Sequence, residues 1–94
     1  MVEFEWDADK AASNLSKHGV SFVEAMTVFG DPLEVTIPYP LHSDTELRFV
    51  SIGHSEAGRL LVVAYAERDQ RIRNVSARDA TPSERRQYES KDQS

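Results

Sequence analysis

Hydrophobic and polar positions recur with different periods along the chain, and each change of period marks a predicted element. Residues 2–6 carry β-branched and aromatic side chains, which favour a short edge strand. Apolar residues then recur at helical spacing over residues 8–18. Asp7 is placed to cap the start of this helix, and Gly19 is placed to end it. A strand followed by a helix is therefore predicted for the N-terminal region.

A second helix is predicted to begin at Ser21, which lies three residues before Glu24 in the spacing of a capping box. It is expected to run to about Phe29, because the Gly-Asp-Pro sequence at 30–32 stops it. Prolines follow soon afterwards, so residues 33–37 are predicted to pair only briefly with a neighbouring strand.

Three strands are predicted in close succession after this region. They cover residues 46–53, 60–66 and 71–77, with turns at 56–59 and 68–70. The middle strand is apolar at nearly every position, which predicts a place inside a sheet covered on both faces. Connections this short require antiparallel neighbours, because parallel strands need a longer crossover.

The last element is a predicted helix with a well-defined start. Thr81 is the expected N-cap, Pro82 the first helical residue, and Glu84 the third. Residues 90–94 read as a polar tail. The element order β-α-α-(β)-β-β-β-α predicts an α+β fold with an antiparallel sheet of three to four strands, two N-terminal helices and one C-terminal helix.

Length and composition fit one domain over residues 1–94, with a core spanning about residues 2–89. The chain has 94 residues, of which 39% are hydrophobic and 29% charged, as in globular domains. No apolar run approaches the ~20 residues of a membrane span, and the first residues do not resemble a signal peptide. Without cysteine there is no disulfide or thiolate nucleophile. We therefore expect a cytoplasmic protein that does not contact membranes.

The net charge of -5 is unevenly distributed. Residues 1–47 carry a net charge of -7, whereas residues 48–94 carry +2. Eight of the nine basic residues in the second half are arginines. Arginine presents a planar fork that matches phosphate oxygens. This distribution favours an anion-binding face, although charges paired with one another across the surface would produce the same composition.

Metal and cofactor motifs are absent from the sequence. His18, His42 and His54 form no HxxxH or HExxH pair. No glycine-rich phosphate loop and no nucleophile elbow is present. We therefore expect neither a metal nor a cofactor, and look for chemistry that charged side chains perform by themselves.

The segment from Glu67 to Arg78 is the richest in such side chains. Regular alternation would place Arg71 and Arg73 together on one strand face, with Arg78 on the other. Neither face would then be apolar at both ends, so we expect either a bulge or a strand that leaves the core before Arg78. The two neighbouring arginines repel each other unless an anion or carboxylates such as that of Asp69 lie close to them.

Taken together, several short motifs resemble the BrnT toxin family. The resemblance runs in order from about Phe4 to Glu89. The motifs are residues 17–22, 24–25, 52–55, 58–59, 61–63, 67–68, 71–73, 76–78, 84–85 and 88–89. This resemblance implies a RelE-like ribonuclease fold and a metal-independent endoribonuclease that inhibits translation and growth. Asn74 departs from the family in interrupting an apolar strand centre, and the overall acidity departs from it as well.

Metal-free RNA cleavage uses the neighbouring 2′-hydroxyl as nucleophile, so such an enzyme needs a base, an acid and cations. We expect Arg68, Arg73 and Arg78 to supply the cations. Glu67 is the candidate base. His18 and Tyr65 are candidate acids, although His18 also suits a helix C-terminus and Tyr65 also suits the core.

Lys17, Arg71 and Arg85 are expected to contact RNA. The resemblance also implies a BrnA-like antitoxin with a ribbon-helix-helix dimer, two toxins on each dimer, and DNA contact only through the antitoxin. The alternative function is a non-catalytic binding module, in which the arginines hold an acidic partner or a nucleic-acid backbone.

Overall fold

A computed structural model describes residues 3–38 and 47–92 of the chain. The predictions that concern Val2, His42, the segment 39–46 and the last two residues of the polar tail lie outside these ranges. The elements are β1 (Glu3–Glu5), α1 (Ala8–His18), α2 (Phe22–Met26), a 3₁₀ turn (Thr27–Gly30), β2 (Val35–Pro38), β3 (Leu47–His54), β4 (Leu60–Arg68), β5 (Arg71–Asp79) and α3 (Pro82–Asp92).

The described strands form one five-stranded sheet in the order β1-β5-β4-β3-β2. The α+β class is confirmed, but the predicted three to four strands are too few. The sheet is also mixed rather than antiparallel, because β1 pairs parallel to β5 with Glu5 opposite Arg73. Helices α1 and α2 separate β1 from the hairpins, and this long crossover makes a parallel pairing possible.

The helix starts form largely as predicted. Asp7 accepts hydrogen bonds from two backbone amides of the first turn of α1, and Gly19 ends that helix with a positive φ of 70°. The capping box of α2 is only half formed. Ser21 accepts from the amide of Glu24, while the Glu24 carboxylate accepts from Arg59 and from the Ser55 hydroxyl instead. These hydrogen bonds tie α2 to the β3–β4 turn.

The sheet buries a separate apolar cluster on each face. The face under α1 and α2 carries Leu61, Val63 and Tyr65 of β4. The opposite face, under α3, carries Leu60 and Val62 of the same strand. A strand with alternate residues in two clusters is covered on both sides, which confirms the prediction for β4.

A β-bulge interrupts β5 and changes which residues share a face. Tyr65 pairs with Asn74, but the adjacent Ala64 pairs with Ser76, so Val75 is the extra residue. Alternation would place Ile72 and Ala77 on opposite faces, yet both belong to the cluster under α1 and α2. The predicted bulge is therefore present, and it corrects the expectation from regular alternation that Arg78 lies on the face opposite Arg73.

The edge of β5 is completed by a side chain beyond the end of β1. The buried amide of Asn14 on α1 donates to the carbonyl of Ala77 and accepts from its N–H, at 2.8 and 3.0 Å. The same amide donates to the carbonyl of Val20 at 2.9 Å. Backbone groups at this edge are buried and need partners. Asn14 thus takes the place of a neighbouring strand.

Asn74 is a different case. It is 1% exposed, and neither polar atom of its side chain has a hydrogen-bond partner among the described residues. An unpaired buried amide costs stability.

None of the helices in the described ranges is long and apolar enough to cross a membrane.

Candidate functional site

Five arginines from three strands lie on the sheet face that α3 partly covers, and we call this set the arginine face. Its members are Arg48, Arg68, Arg71, Arg73 and Arg78. Register fixes their common side, because Arg48 and Arg73 are opposite Ala66 and Arg78 is opposite Val62. Ala66 and Val62 are an even number of residues apart on β4, so they share that face. The bulge at Val75 brings Arg78 to the same side as Arg73.

The uncovered end of the arginine face contains a hollow of about 280 Å³. It is lined by Glu5, Ala66, Arg68, Asp69, Arg71 and Arg73. The structure therefore brings together three of the predicted arginines. The small side chain of Ala66 leaves space between the longer ones.

A tight turn builds one end of the hollow. Asp69 and Gln70 connect β4 to β5 with φ angles of 52° and 65°, as a two-residue hairpin requires. Asparagine and glycine are the usual residues in this conformation. This turn places Arg68 directly opposite Arg71.

The carboxylates around the hollow pair with two of its three arginines. Arg71 lies 3.4 Å from Glu5 and 4.0 Å from Glu3, and Arg68 lies 4.0 Å from Asp69. These groups are largely exposed, so the pairs are weak and exchangeable. Within the described ranges the side chain of Arg73 is exposed and makes no ion pair or hydrogen bond. Arg73 is therefore the guanidinium most available to an incoming anion.

Arg78 is engaged by a carboxylate of α3. Its two terminal nitrogens donate to the two oxygens of Glu84, both at 2.8 Å. Glu84 also accepts from the backbone amide of Thr81, which caps the helix in return. The Arg78 guanidinium, with the Thr81 amide, lowers the pKa of Glu84 to about 2 despite its partial burial. Arg78 thus reaches the face as half of a bidentate ion pair.

A small polar cluster fixes α3 over the sheet. The Tyr88 hydroxyl donates to Asp31 at 2.7 Å, and the backbone N–H of His54 donates to the same oxygen at 2.8 Å. His54 Nδ1 lies 3.2 Å from the Tyr88 hydroxyl. Burial raises the pKa of Asp31, but these hydrogen bonds outweigh it and hold the pKa below its usual value. The cluster fixes the helix that carries Glu84.

Lys17 and His18 lie apart from the hollow. They line a separate groove of about 210 Å³ between α1 and the bulge, together with Lys10, Val75 and Ser76. Both predicted residues are exposed. Cations at this C-terminal turn complement the helix dipole, and they also give the groove a basic wall.

Tyr65 and Glu67 lie on the opposite side of the sheet from Arg68, because successive strand residues alternate. Tyr65 is 5% exposed, and its hydroxyl lies 3.0 Å from the Ser51 hydroxyl. Burial raises the pKa of Tyr65, although the hydrogen bond with Ser51 lowers it. Glu67 is exposed. Sequence adjacency to Arg68 therefore does not place the Glu67 carboxylate in the hollow.

Arg85 is exposed on α3, outside the residues that line the hollow. In the described part of the chain, no three histidine or acidic side chains are arranged to hold a metal ion.

Sequence reasoning missed Glu5 and Ala66 as residues of the site. Their place depends on the pairing of β1 and β4 with β5, which no local motif shows.

Comparison with known proteins decides the family. The sequence model of BrnT, the ribonuclease toxin of a type II toxin-antitoxin system, matches residues 6–84. The chain belongs to the BrnT family. The crystal structure of the Brucella abortus ribonuclease toxin BrnT has a similar fold, with a TM-score of 0.64. That match is 20% identical in sequence and covers 86% of this chain and 99% of the Brucella chain. A search among curated proteins found no match.

Membership in the BrnT family confirms the resemblance stated from the sequence motifs. The family is one of ribonuclease toxins, and a type II toxin has an antitoxin partner and an RNA substrate. The five strands and three helices of the described ranges form an α+β fold similar to the Brucella BrnT structure.

Proposed function

We propose that this BrnT-family protein is a cytoplasmic, metal-independent endoribonuclease with a RelE-like fold that binds RNA on its arginine face. The observation that carries the proposal is the exposed guanidinium of Arg73, which has no partner among the described residues and lines the hollow. Its neighbours Arg68 and Arg71 add charge, and their carboxylate partners are exposed and exchangeable. An RNA backbone supplies the missing anions.

The proposed reaction begins with the 2′-hydroxyl of the RNA, whose oxygen attacks the adjacent phosphorus as its proton passes to a base. The bond from phosphorus to the 5′-oxygen then breaks, and an acid protonates that oxygen. The products are a 2′,3′-cyclic phosphate and a free 5′-hydroxyl. Negative charge grows on the phosphoryl oxygens in between, so fixed donors such as Arg73 stabilise the transition state more than the substrate.

The predicted base Glu67 and the predicted acid His18 are exposed, but neither lines the hollow that contains Arg73. A base and an acid must lie within hydrogen-bond reach of the reacting atoms, so both roles are left unassigned. Burial keeps the Tyr65 hydroxyl away from RNA in this arrangement, so Tyr65 is left out of the acid role. Arg78 is proposed as a further cation, oriented by Glu84. Lys17 and Arg85 are proposed to contact the RNA outside the hollow.

Incubation of the purified protein with labelled RNA in EDTA tests the proposal. Cleavage that leaves 2′,3′-cyclic phosphate ends is expected, and an Arg73→Ala variant serves as the loss-of-function control. Binding of the RNA without any cleavage would favour the alternative, a non-catalytic module that uses the arginine face to hold an acidic partner or a nucleic-acid backbone. Cleavage that requires an added divalent metal would contradict metal independence.

We further propose a BrnA-like ribbon-helix-helix antitoxin as the partner that silences this activity. The side chain of Arg73 has no partner among the described residues, and the carboxylate partners of Arg68 and Arg71 are exposed and exchangeable. An acidic antitoxin segment on the arginine face neutralises those charges and blocks RNA at the same time. The N-terminal half of the chain is strongly acidic, so DNA contact is assigned to the antitoxin dimer, with two toxins attached to it.

A further inference from the structure

The hollow on the arginine face does not have the composition of a simple phosphate site. Three guanidinium groups line it, but two carboxylates, those of Glu5 and Asp69, line it as well. One net positive charge remains. A phosphate site would gain from removal of those carboxylates, whereas a nucleobase presents both hydrogen-bond acceptors and hydrogen-bond donors on one edge. The hollow therefore matches a base better than a phosphate.

Glu5 and Arg73 form the part of the hollow that presents an acceptor beside a donor. They are register partners on the parallel strands β1 and β5, so their side chains leave the same face about 4.8 Å apart. No ion pair joins them, and within the described ranges Arg73 has no other partner. Arg71 donates to one oxygen of Glu5 at 3.4 Å. This exposed contact is weak and exchangeable, so the carboxylate stays available to a ligand in the hollow.

Guanine is the one RNA base whose Watson–Crick edge gives a carboxylate two adjacent donors. Its N1–H and N2–H meet the two oxygens of Glu5, and its acceptor O6 meets Arg73. Adenine and cytosine can place a ring-nitrogen acceptor on Arg73, but they offer the carboxylate only their exocyclic amino group. Uracil offers the carboxylate only N3–H. Unpaired bases in RNA are recognised on this edge.

We propose that the hollow is a guanine-specific subsite, in which the carboxylate of Glu5 reads the Watson–Crick donors of one unpaired guanine of the RNA. One N–H of Arg73 binds O6 of that guanine, and the remaining N–H donors of the same guanidinium face the adjacent phosphate. The small Ala66 side chain leaves room for the base, and the planar guanidinium of Arg68 lines the wall on which it stacks. This inference rests on the proposed RNA substrate and names the nucleotide that the enzyme selects. Glu5 is here a specificity residue.

Binding can be measured separately from cleavage with short 2′-O-methyl oligouridylates that carry one variable central base. These probes lack the attacking 2′-hydroxyl. Fluorescence anisotropy should show roughly ten- to a hundredfold tighter binding for guanine than for adenine at the central position, the range typical of a bidentate base contact. Inosine, which lacks the N2 amino group, should fall between the two.

Glu5→Gln should abolish most of this preference, because the amide no longer accepts from both guanine donors. Glu3→Gln is the matched control, with the same strand, the same face and the same change of charge, but outside the residues that line the hollow. It should keep the preference. On cleavable RNA, the wild-type protein should cut beside guanines, and Glu5→Gln should lose that bias while still cutting.

The outcomes separate this inference from the proposed function. Equal binding of all four central bases, with RNA cleavage intact, would overturn the guanine subsite alone, and so would a preference that survives Glu5→Gln. Failure to bind or cleave any RNA would overturn both proposals. An effect of Glu5→Gln on antitoxin affinity, with none on RNA, would assign the hollow to the protein partner and refute the guanine subsite.

Discussion

Arg78 and Glu84 form a two-pronged ion pair that joins the last strand to the last helix. Each oxygen of the Glu84 carboxylate accepts a hydrogen bond from one terminal nitrogen of the Arg78 guanidinium, both at 2.8 Å. The pair orients a cation of the arginine face and anchors the first turn of α3, so changes at either residue should affect both stability and RNA chemistry.

Removal of single cations should separate these two roles. Arg73→Ala is expected to slow RNA cleavage by ~10²-fold, the usual cost of losing a transition-state donor, with little change in thermal stability. Arg78→Ala should slow cleavage similarly and also lower stability, because it leaves Glu84 unpaired. Single-turnover cleavage and thermal unfolding are the measurements. Arg86→Ala, at an exposed arginine of α3, is the control. Full growth inhibition by both variants would refute the assignment.

Arg73→Lys should restore little of the lost rate. Lysine keeps the positive charge but lacks the planar fork that binds two oxygens at once. Comparison of the single-turnover rates of the lysine and alanine variants measures this difference. A lysine variant as fast as the wild type would show that Arg73 acts through charge alone.

The antitoxin should lose affinity when the charge of the hollow is reversed. The triple variant Arg68→Glu, Arg71→Glu, Arg73→Glu is expected to bind at least tenfold more weakly, since like charges then face an acidic partner. Titration calorimetry tests this, and light scattering of the co-purified wild-type complex should give two toxins per antitoxin dimer.

The matched control for the antitoxin experiment changes Lys10, Lys17 and Arg86 to glutamate. These positions carry the same total charge but do not line the hollow. Equal losses of affinity in the two triple variants would indicate a general charge effect. Unchanged affinity in the hollow variant would place the antitoxin on another surface.

The pH dependence of stability should report the Glu84 ion pair. The pKa of Glu84 is about 2 in the folded protein and 4.5 in its ordinary state. A lowered folded pKa stabilises the protein above the unfolded pKa, and this contribution disappears as the pH falls from about 4.5 to about 2. Glu84→Gln should therefore cost roughly 1–2 kcal/mol at pH 7, allowing for partial exposure.

At pH 2 the wild type and Glu84→Gln should differ little in free energy of unfolding, as urea titrations at both pH values would show. Glu89→Gln, at an exposed position of the same helix, is the control and should give a small difference at either pH. A constant penalty for Glu84→Gln at every pH would contradict the ionic origin.

Asn14→Ala should destabilise the fold by about 2–4 kcal/mol. The change leaves the N–H and carbonyl of Ala77 and the carbonyl of Val20 without their buried partner. Urea unfolding measures the loss. Ser13→Ala, at the exposed neighbouring position, should change stability by less than about 0.5 kcal/mol. Similar values for both would show that the edge of β5 does not depend on Asn14.

Local signals in the sequence were sufficient for most elements and insufficient for the site. The caps at Asp7 and Thr81 act within a few residues, so they could be found from spacing. The parallel pairing of β1 with β5 depends on packing between distant segments, and Glu5 was missed with it. Glu67 directly precedes Arg68 in the sequence, but alternation separates its side chain from that of Arg68.

The roles of some single residues were also beyond local patterns. The expected capping box at Ser21 formed only in part, because Arg59 and Ser55 bind the Glu24 carboxylate more favourably than the helix start does. Asn74 was noted as an interruption, and it proves to be buried without a partner among the described residues. Residues that look equivalent in the sequence pattern therefore differ in the hydrogen-bond partners that distant segments provide.

The bulge residue Val75 determines which residues of β5 share a face. Arg73 and Arg78 are separated by an odd number of positions, and they share a face only because one residue is left out of the pairing. Deletion of Val75 would therefore leave Arg73 and Arg78 on one face and Ala77 on the other, because the shortened strand alternates regularly. A strand of unchanged length that lost the bulge would instead turn Arg78 toward the cluster under α1 and α2. Among relatives of this chain, an odd spacing between these two arginines thus predicts a bulge, and an even spacing predicts a regular strand with the same arginine face.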